Sequence, residues 1–389
     1  MTIPDASTAR LPWDPADPYP FYRARRTAGT IVWDNTANAW LILGHRAARD
    51  ILAGSGWSSD PRADPGAEAL NDSIVEANML FTDGPTHTRL RGAVRDLFSR
   101  KFIAGLQAGI DTITADIIAS IPAGQEFDAM TDIALPLPVA VIGAWLGLEP
   151  EQCSALRDHS PAIIRLLGGF ADQHALQDGL SASAALIADF LPAAADRRAH
   201  PRDDLLSYLA ADRTLSLDEV TITAILIAVA GHETTANLLG AALIRLLTPD
   251  AEGRIPAQTF DIEDPGAYTE LLRLDAPVQA TARTATTDHH IGGVTIASGD
   301  PVVVCLAAAN RDPLIYADPD HFQPDRAGPS PLTFGHGAHY CLGVALARQE
   351  ITAALWIMLR RRPLLVGSPA WRDTPAIRGP QCVPVRFTA

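Results

Sequence analysis

Ten residues near the carboxyl end, Phe334-Gly335-His336-Gly337-Ala338-His339-Tyr340-Cys341-Leu342-Gly343, have the composition of a loop that presents one sulfur atom. Glycine accepts positive φ and lets the backbone run close to a flat partner, which a residue with a Cβ resists. Cys341 stands just before an apolar, alanine-rich run, Val344 to Leu359, that reads as a helix. At a helix amino end a sulfur meets free N–H groups and the positive end of the dipole, which favours thiolate, the metal-binding form. Taken alone, such a cysteine is as readily a buried structural residue.

Three elements would have to position that sulfur and whatever it binds. Ser216-Leu217-Asp218-Glu219 is a capping box opening a helix that runs to about Leu247, roughly 45 Å at 1.5 Å per residue. It is apolar nearly all round and so must be buried. In its middle, Ala230-Gly231-His232-Glu233-Thr234-Thr235 places an acid and hydroxyls where burial is costly unless something uses them. His87 and Arg91, four apart in a helix opened by Asp83-Gly84-Pro85, share a face. Glu270 and Arg273, three apart among leucines, meet on another, and breaking such a pair when buried costs several kcal/mol.

The pattern Phe-Gly-x-Gly-x-His-x-Cys-x-Gly, complete from Phe334 to Gly343, resembles the haem-binding signature of the cytochromes P-450. The resemblance implies haem b with Cys341 as the axial thiolate, a ligand that pushes electron density onto iron and favours O–O cleavage. It also implies that Phe334 packs beside the ligand, that Gly335 and Gly343 shape its loop, and that His87, Arg91, Arg283 and His339 bind haem propionates, charges that need cationic partners in an apolar site. The family's Ala/Gly-Gly-x-Asp/Glu-Thr pattern is matched from Ala230 to Thr234. By that likeness Ala230 and Gly231 open the helix to O2 and water, Thr234 with Thr235 organises protons, and Glu233 relays them from solvent. Glu270, Arg273 and Arg326 are similar to a structural network that holds the cysteine loop. Arg95, Arg100, Lys101 and Arg348 fall where the family docks its electron donor.

Size and composition fit that reading. The 389 residues, 47% hydrophobic and 20% charged, suit a globular protein with a large core. Length alone suggests two or three domains, whereas the resemblance implies a single domain over 1–389. Four scattered cysteines give no disulfide or zinc framework and fit a reducing compartment. A net charge of −14 argues against nucleic acid as a partner. The proline-rich start, Met1 to Pro20, has no basic-then-apolar pattern, and the longest apolar stretch, about Ile222 to Gly231, reads as too short to span a bilayer. The expectation is a cytoplasmic monomer with no membrane contact.

Along the chain, Tyr19 to Arg26 and Ala47 to Leu52 read as helices, and Ile31–Trp33 with Trp40–Leu43 as a hairpin. Residues 54–83 form a long irregular connection, over the substrate pocket by resemblance or simply solvated. From 103 to 215, helical patterns read as broken at Pro122, Pro136, Pro138, Pro150, Pro161, Pro192 and Pro201. Within them, 163–179 is similar to the family's lid, with Leu166, Leu167 and Phe170 as an apolar surface. Pro249 to Pro265 is a poor helix candidate where the family has a helix. Alternation from Ile291 to Val304 makes a small sheet, and Asn310-Arg311-Asp312-Pro313 follows as in relatives.

The expected fold is therefore mainly α with a small β lobe, its β-rich portions near 31–43 and 280–304. This is the triangular prism of the family, with haem between a long central helix and the cysteine loop. The expected function is a haem-thiolate monooxygenase inserting one atom of O2 into a mostly apolar organic substrate, in secondary metabolism or catabolism, with electrons from a ferredoxin and its reductase. Oxidative aromatic coupling is an alternative at the same haem. Peroxygenase chemistry is another, but such relatives usually lack the acid–threonine pair kept here. A haem sensor without turnover fits that pair poorly too.

Overall fold

The computed structural model describes residues 11–64, 72–167, 173–250 and 252–388. Its β lobe starts from the expected hairpin. Ile31–Asp34 pairs antiparallel with Ala39–Ile42, and the buried Asp34 carboxylate accepts the N–H groups of Thr36 and Ala37 to fix the turn. The second strand lies parallel to Pro301–Val304, which pairs antiparallel with Thr281–Ala285, and Trp57–Ser58 completes the sheet. Two portions separated by more than 200 positions in sequence thus form one five-stranded sheet, over a small apolar cluster that includes Ile42, Ile51 and Val304.

The larger core gathers round the helix Leu217–Leu247. Its capping box is formed in both directions, Glu219 N–H to Ser216 Oγ at 3.1 Å and Ser216 N–H to Glu219 Oε2 at 2.8 Å. One expectation is corrected here. His232 and Glu233 do not interrupt this helix, which is long and apolar enough to cross a membrane; 72% of its most apolar window is buried inside the protein, as suits a core helix.

The prolines need a second correction. Pro161 lies inside the helix Pro150–Leu167 and Pro192 inside Gln173–Ala199. These helices pack on each other and on the central helix, and that burial outweighs the roughly 3 kcal/mol an interior proline costs. Pro136 and Pro138 sit in the first turn of Pro136–Leu146, where no N–H is needed. Of the lid, residues 168–172, with Phe170, lie outside the described residues. The 54–83 connection carries the short strand, a 3-10 turn at Pro61–Ala63 and a helix at Asp72–Glu76. Between Pro249 and Pro265 the described residues form only a 3-10 turn, Pro256–Gln258.

Candidate active site

The cysteine loop is built on two glycines at φ 72°, Gly335 and Gly337. At Gly337 a Cβ would stand 2.2 Å from the Leu52 carbonyl oxygen, so both conformation and space exclude a side chain. Cys341 N–H donates to the Phe334 carbonyl at 2.9 Å and closes the loop, with Phe334 packed on the core and Gly343 capping the helix Val344–Arg360. Cys341 itself is exposed. Dense protein around it nevertheless pushes its thiol up; the Gly343 N–H and the Arg91 guanidinium pull the other way without prevailing. The helix end alone therefore does not secure the thiolate, contrary to expectation, and a bound metal would have to complete the deprotonation.

The central helix packs against the helix that follows Cys341. Along its buried length Ala230, Gly231 and Thr234 are only half-buried and share a face. Thr234 Oγ1 donates to the Ala230 carbonyl at 2.8 Å. A Cβ on Gly231 would meet only Ile142, at 3.7 Å, so protein packing does not demand that glycine. Thr235 is 3% exposed and belongs to the core rather than to this face. Glu233 is wholly buried; its Oε2 accepts from Arg372 Nη1 at 2.7 Å, while Oε1 has no partner. His232 Nδ1 lies 3.9 Å from Oε1, and burial keeps its imidazole below its ordinary pKa. Glu233 does not itself reach solvent. Arg372, 20% exposed, does.

A cationic cluster forms beside the cysteine loop. Arg91 donates to the Tyr340 carbonyl, and the His87 and His339 rings lie 4.2 Å apart between centroids. His87 is buried, its Nε2 lacks any partner, and its pKa is pushed down to about 4 by burial, with His339 and Arg91 adding. Arg283 reaches in from the sheet, donating to Thr281 Oγ1 at 3.1 Å and the Ala282 carbonyl at 2.6 Å. His339 Nε2 lies 3.1 Å from Ser59 Oγ and 3.2 Å from Asp83 Oδ1. Burial works against the Asp83 carboxylate, yet hydrogen bonds from His339, Ser59 and Ser58 hold it below its ordinary pKa.

Farther out, Arg273 forks onto both oxygens of Glu270 at 2.7 Å, and Arg326 Nε reaches Oε1 at 3.0 Å. Arg273 also donates to the carbonyls of Asn310, Pro319 and His321. Asn310 in turn holds Leu332 and Thr333 at the start of the cysteine loop. Arg95, Arg100, Lys101 and Arg348 are all exposed.

These residues fit haem: an exposed thiol, a small-residue helix face with an unexplained glycine, and a cluster of arginine and histidine with a buried nitrogen short of a partner. Sequence reasoning missed Arg372, an arginine in no motif, and Asp83, whose place just before the Gly84-Pro85 helix start was a usable signal.

Comparison with known proteins agrees. The cytochrome P450 family model matches residues 267–366. The biotin biosynthesis cytochrome P450 of Bacillus subtilis is 31% identical over 386 residues, 95% of this chain and 96% of that one. The monooxygenase PikC of Streptomyces venezuelae is 33% identical over 96% of this chain and 91% of its own. Among solved structures, P450BioI in complex with an acyl carrier protein bearing hexadec-9Z-enoic acid superposes with a TM-score of 0.89 at 29% identity, covering 96% of this chain and 99% of that one. With the fold and the cysteine loop both in register with such relatives, the chain belongs to the cytochrome P450 family of monooxygenases.

Proposed function

We propose that this protein, a single-domain cytoplasmic monomer, binds haem b through Cys341 and inserts one oxygen atom from O2 into a mostly apolar small organic substrate, with electrons from a ferredoxin and its reductase. The observation that carries the reading is the exposed Cys341, held at the end of a double-glycine loop that the Glu270–Arg273–Arg326 network fixes. When bound, the haem supplies the redox chemistry that activates O2.

The chain's own groups do the rest. His87, Arg91, Arg283 and His339 neutralise the two carboxylates, and Phe334, Gly335 and Gly343 shape the sulfur's surroundings. Ala230 and Gly231 let the central helix approach a flat group closely. The Thr234 hydroxyl, anchored on the Ala230 carbonyl, fixes a proton donor on that face. Glu233 holds a proton at its unpartnered Oε1, and Arg372 links the same carboxylate outward. Arg95, Arg100, Lys101 and Arg348 present positive charge to an acidic electron donor. Substrate enters between the 54–83 connection and the helices flanking residues 168–172.

The test is optical. The reduced protein under carbon monoxide should give the strongly red-shifted band of thiolate ligation, and Cys341→His should keep haem but lose that band. A colourless protein from cells well supplied with iron and porphyrin precursor, or a variant that retains the band, overturns the assignment. Screening apolar compounds for the spin-state shift then identifies the substrate class.

A further inference from the structure

The first helix, Tyr19–Arg26, ends in three arginines. Arg25 is taken by the buried Asp34. Arg23 and Arg26 instead join Arg311, from the Asn310-Arg311-Asp312-Pro313 turn, in lining a cavity of about 140 Å³ whose wall includes Tyr19, Tyr22 and Asp320. That volume is well above what one water needs.

The charges there do not balance. Three guanidiniums face one carboxylate, a surplus of two positive charges in a protein whose net charge is −14. Asp320 is already shared, accepting from Arg311 Nη1 at 2.8 Å and Arg23 Nη1 at 3.3 Å. Asp312, another neighbouring carboxylate, accepts from the backbone N–H groups of His45 and Leu314. Arg26 Nη2 donates to the carbonyls of Leu43 and Ala308, yet its Nε, like that of Arg311, is buried with no acceptor. Arg311 is 9% exposed and lies 3.4 Å from the Tyr19 ring centroid, which fixes its plane. Burial also pushes the Arg26 pKa down, against the pull of Asp312 and Asp320. Buried cations short of both counter-charge and acceptors are the complement of an anion with several oxygens.

We propose that this cavity binds a small oxyanion, of the phosphate or short carboxylate class. The ion would clamp the first helix to residues 308–320, the segment on which Arg273 also closes. The site is separate from the haem residues, and its test does not rest on the catalytic reading.

The experiment is calorimetric titration of the full-length holoenzyme with inorganic phosphate, then with acetate, at constant ionic strength. At least one should bind saturably, and which one does defines the class. Arg23→Gln and Arg26→Gln should each weaken it by about tenfold. Arg23 is more than half exposed, so its variant keeps the fold. No saturable binding of either anion, or affinity unchanged in both variants, overturns the proposal.

Discussion

Arg372 Nη1 and Glu233 Oε2 meet at 2.7 Å, joining the C-terminal hairpin to the middle of the central helix. The hairpin pairs Ala370–Trp371 with Pro380–Cys382 and is seated tightly: a Cβ on Gly379 would lie 2.0 Å from Asn237 Oδ1. Removing the cation strands a wholly buried carboxylate. Arg372→Leu should therefore cost about 3 kcal/mol in urea unfolding and lower product formed per electron consumed. A variant within about 0.5 kcal/mol of the parent would show that the ion pair does not hold Glu233.

Thr234 and Thr235 are adjacent but face different surroundings, so their variants should separate. Thr234→Ala should raise electron consumption without product, since a hydroxyl on the half-buried face is lost, while stability changes by no more than about 1 kcal/mol. Thr235→Val, a change in the core, should alter stability and leave coupling intact. Equal coupling in parent and Thr234→Ala would remove Thr234 from proton handling.

Glu270 should set much of the acid limit of folding. Burial opposes its ionisation, but hydrogen bonds and charge from Arg273 and Arg326 win and hold its pKa below the ordinary 4.5. The stability it contributes is thus present above 4.5 and lost as pH falls through the lower folded value. Unfolding midpoints between about pH 6 and 3 should show a steeper loss in the parent than in Glu270→Gln, which starts several kcal/mol lower. Parallel curves would contradict this.

Glu350 acts in the opposite sense. It is 2% exposed, its Oε2 has no partner, and burial raises its pKa to about 8. Between the ordinary 4.5 and about 8 the unfolded chain gives up this proton while the folded protein keeps it, so stability declines across that window. Glu350→Gln should flatten the decline by an amount on the order of a few kcal/mol, read from denaturation at pH 5 and pH 8. A slope identical to the parent's would place the ionisation elsewhere.

What the sequence made legible was local. The capping box at Ser216, the hairpin at 31–43, the 270–273 pair and the glycine-cysteine loop each lie within a few residues, where spacing determines which groups meet. Ion pairs spanning long separations were not. Arg372 meets Glu233 across 139 positions and His339 meets Asp83 across 256, and no periodicity reports which folded faces will touch. The interior prolines failed for a related reason: propensity marks a break, and tertiary packing overrules it. The thiol of Cys341 was misjudged because a helix end is visible in sequence whereas the mass of protein around a sulfur is not.

The close seat of Gly337 on the Leu52 carbonyl also sets an order of events during synthesis. Leu52 leaves the ribosome early and waits, while the loop that must dock on it emerges only after the central helix and most of the chain. The iron-binding pocket is the last part of the molecule to close, so the prosthetic group is captured by a protein already largely folded, and a truncation just short of residue 337 should leave helical, soluble-looking material that takes up no pigment.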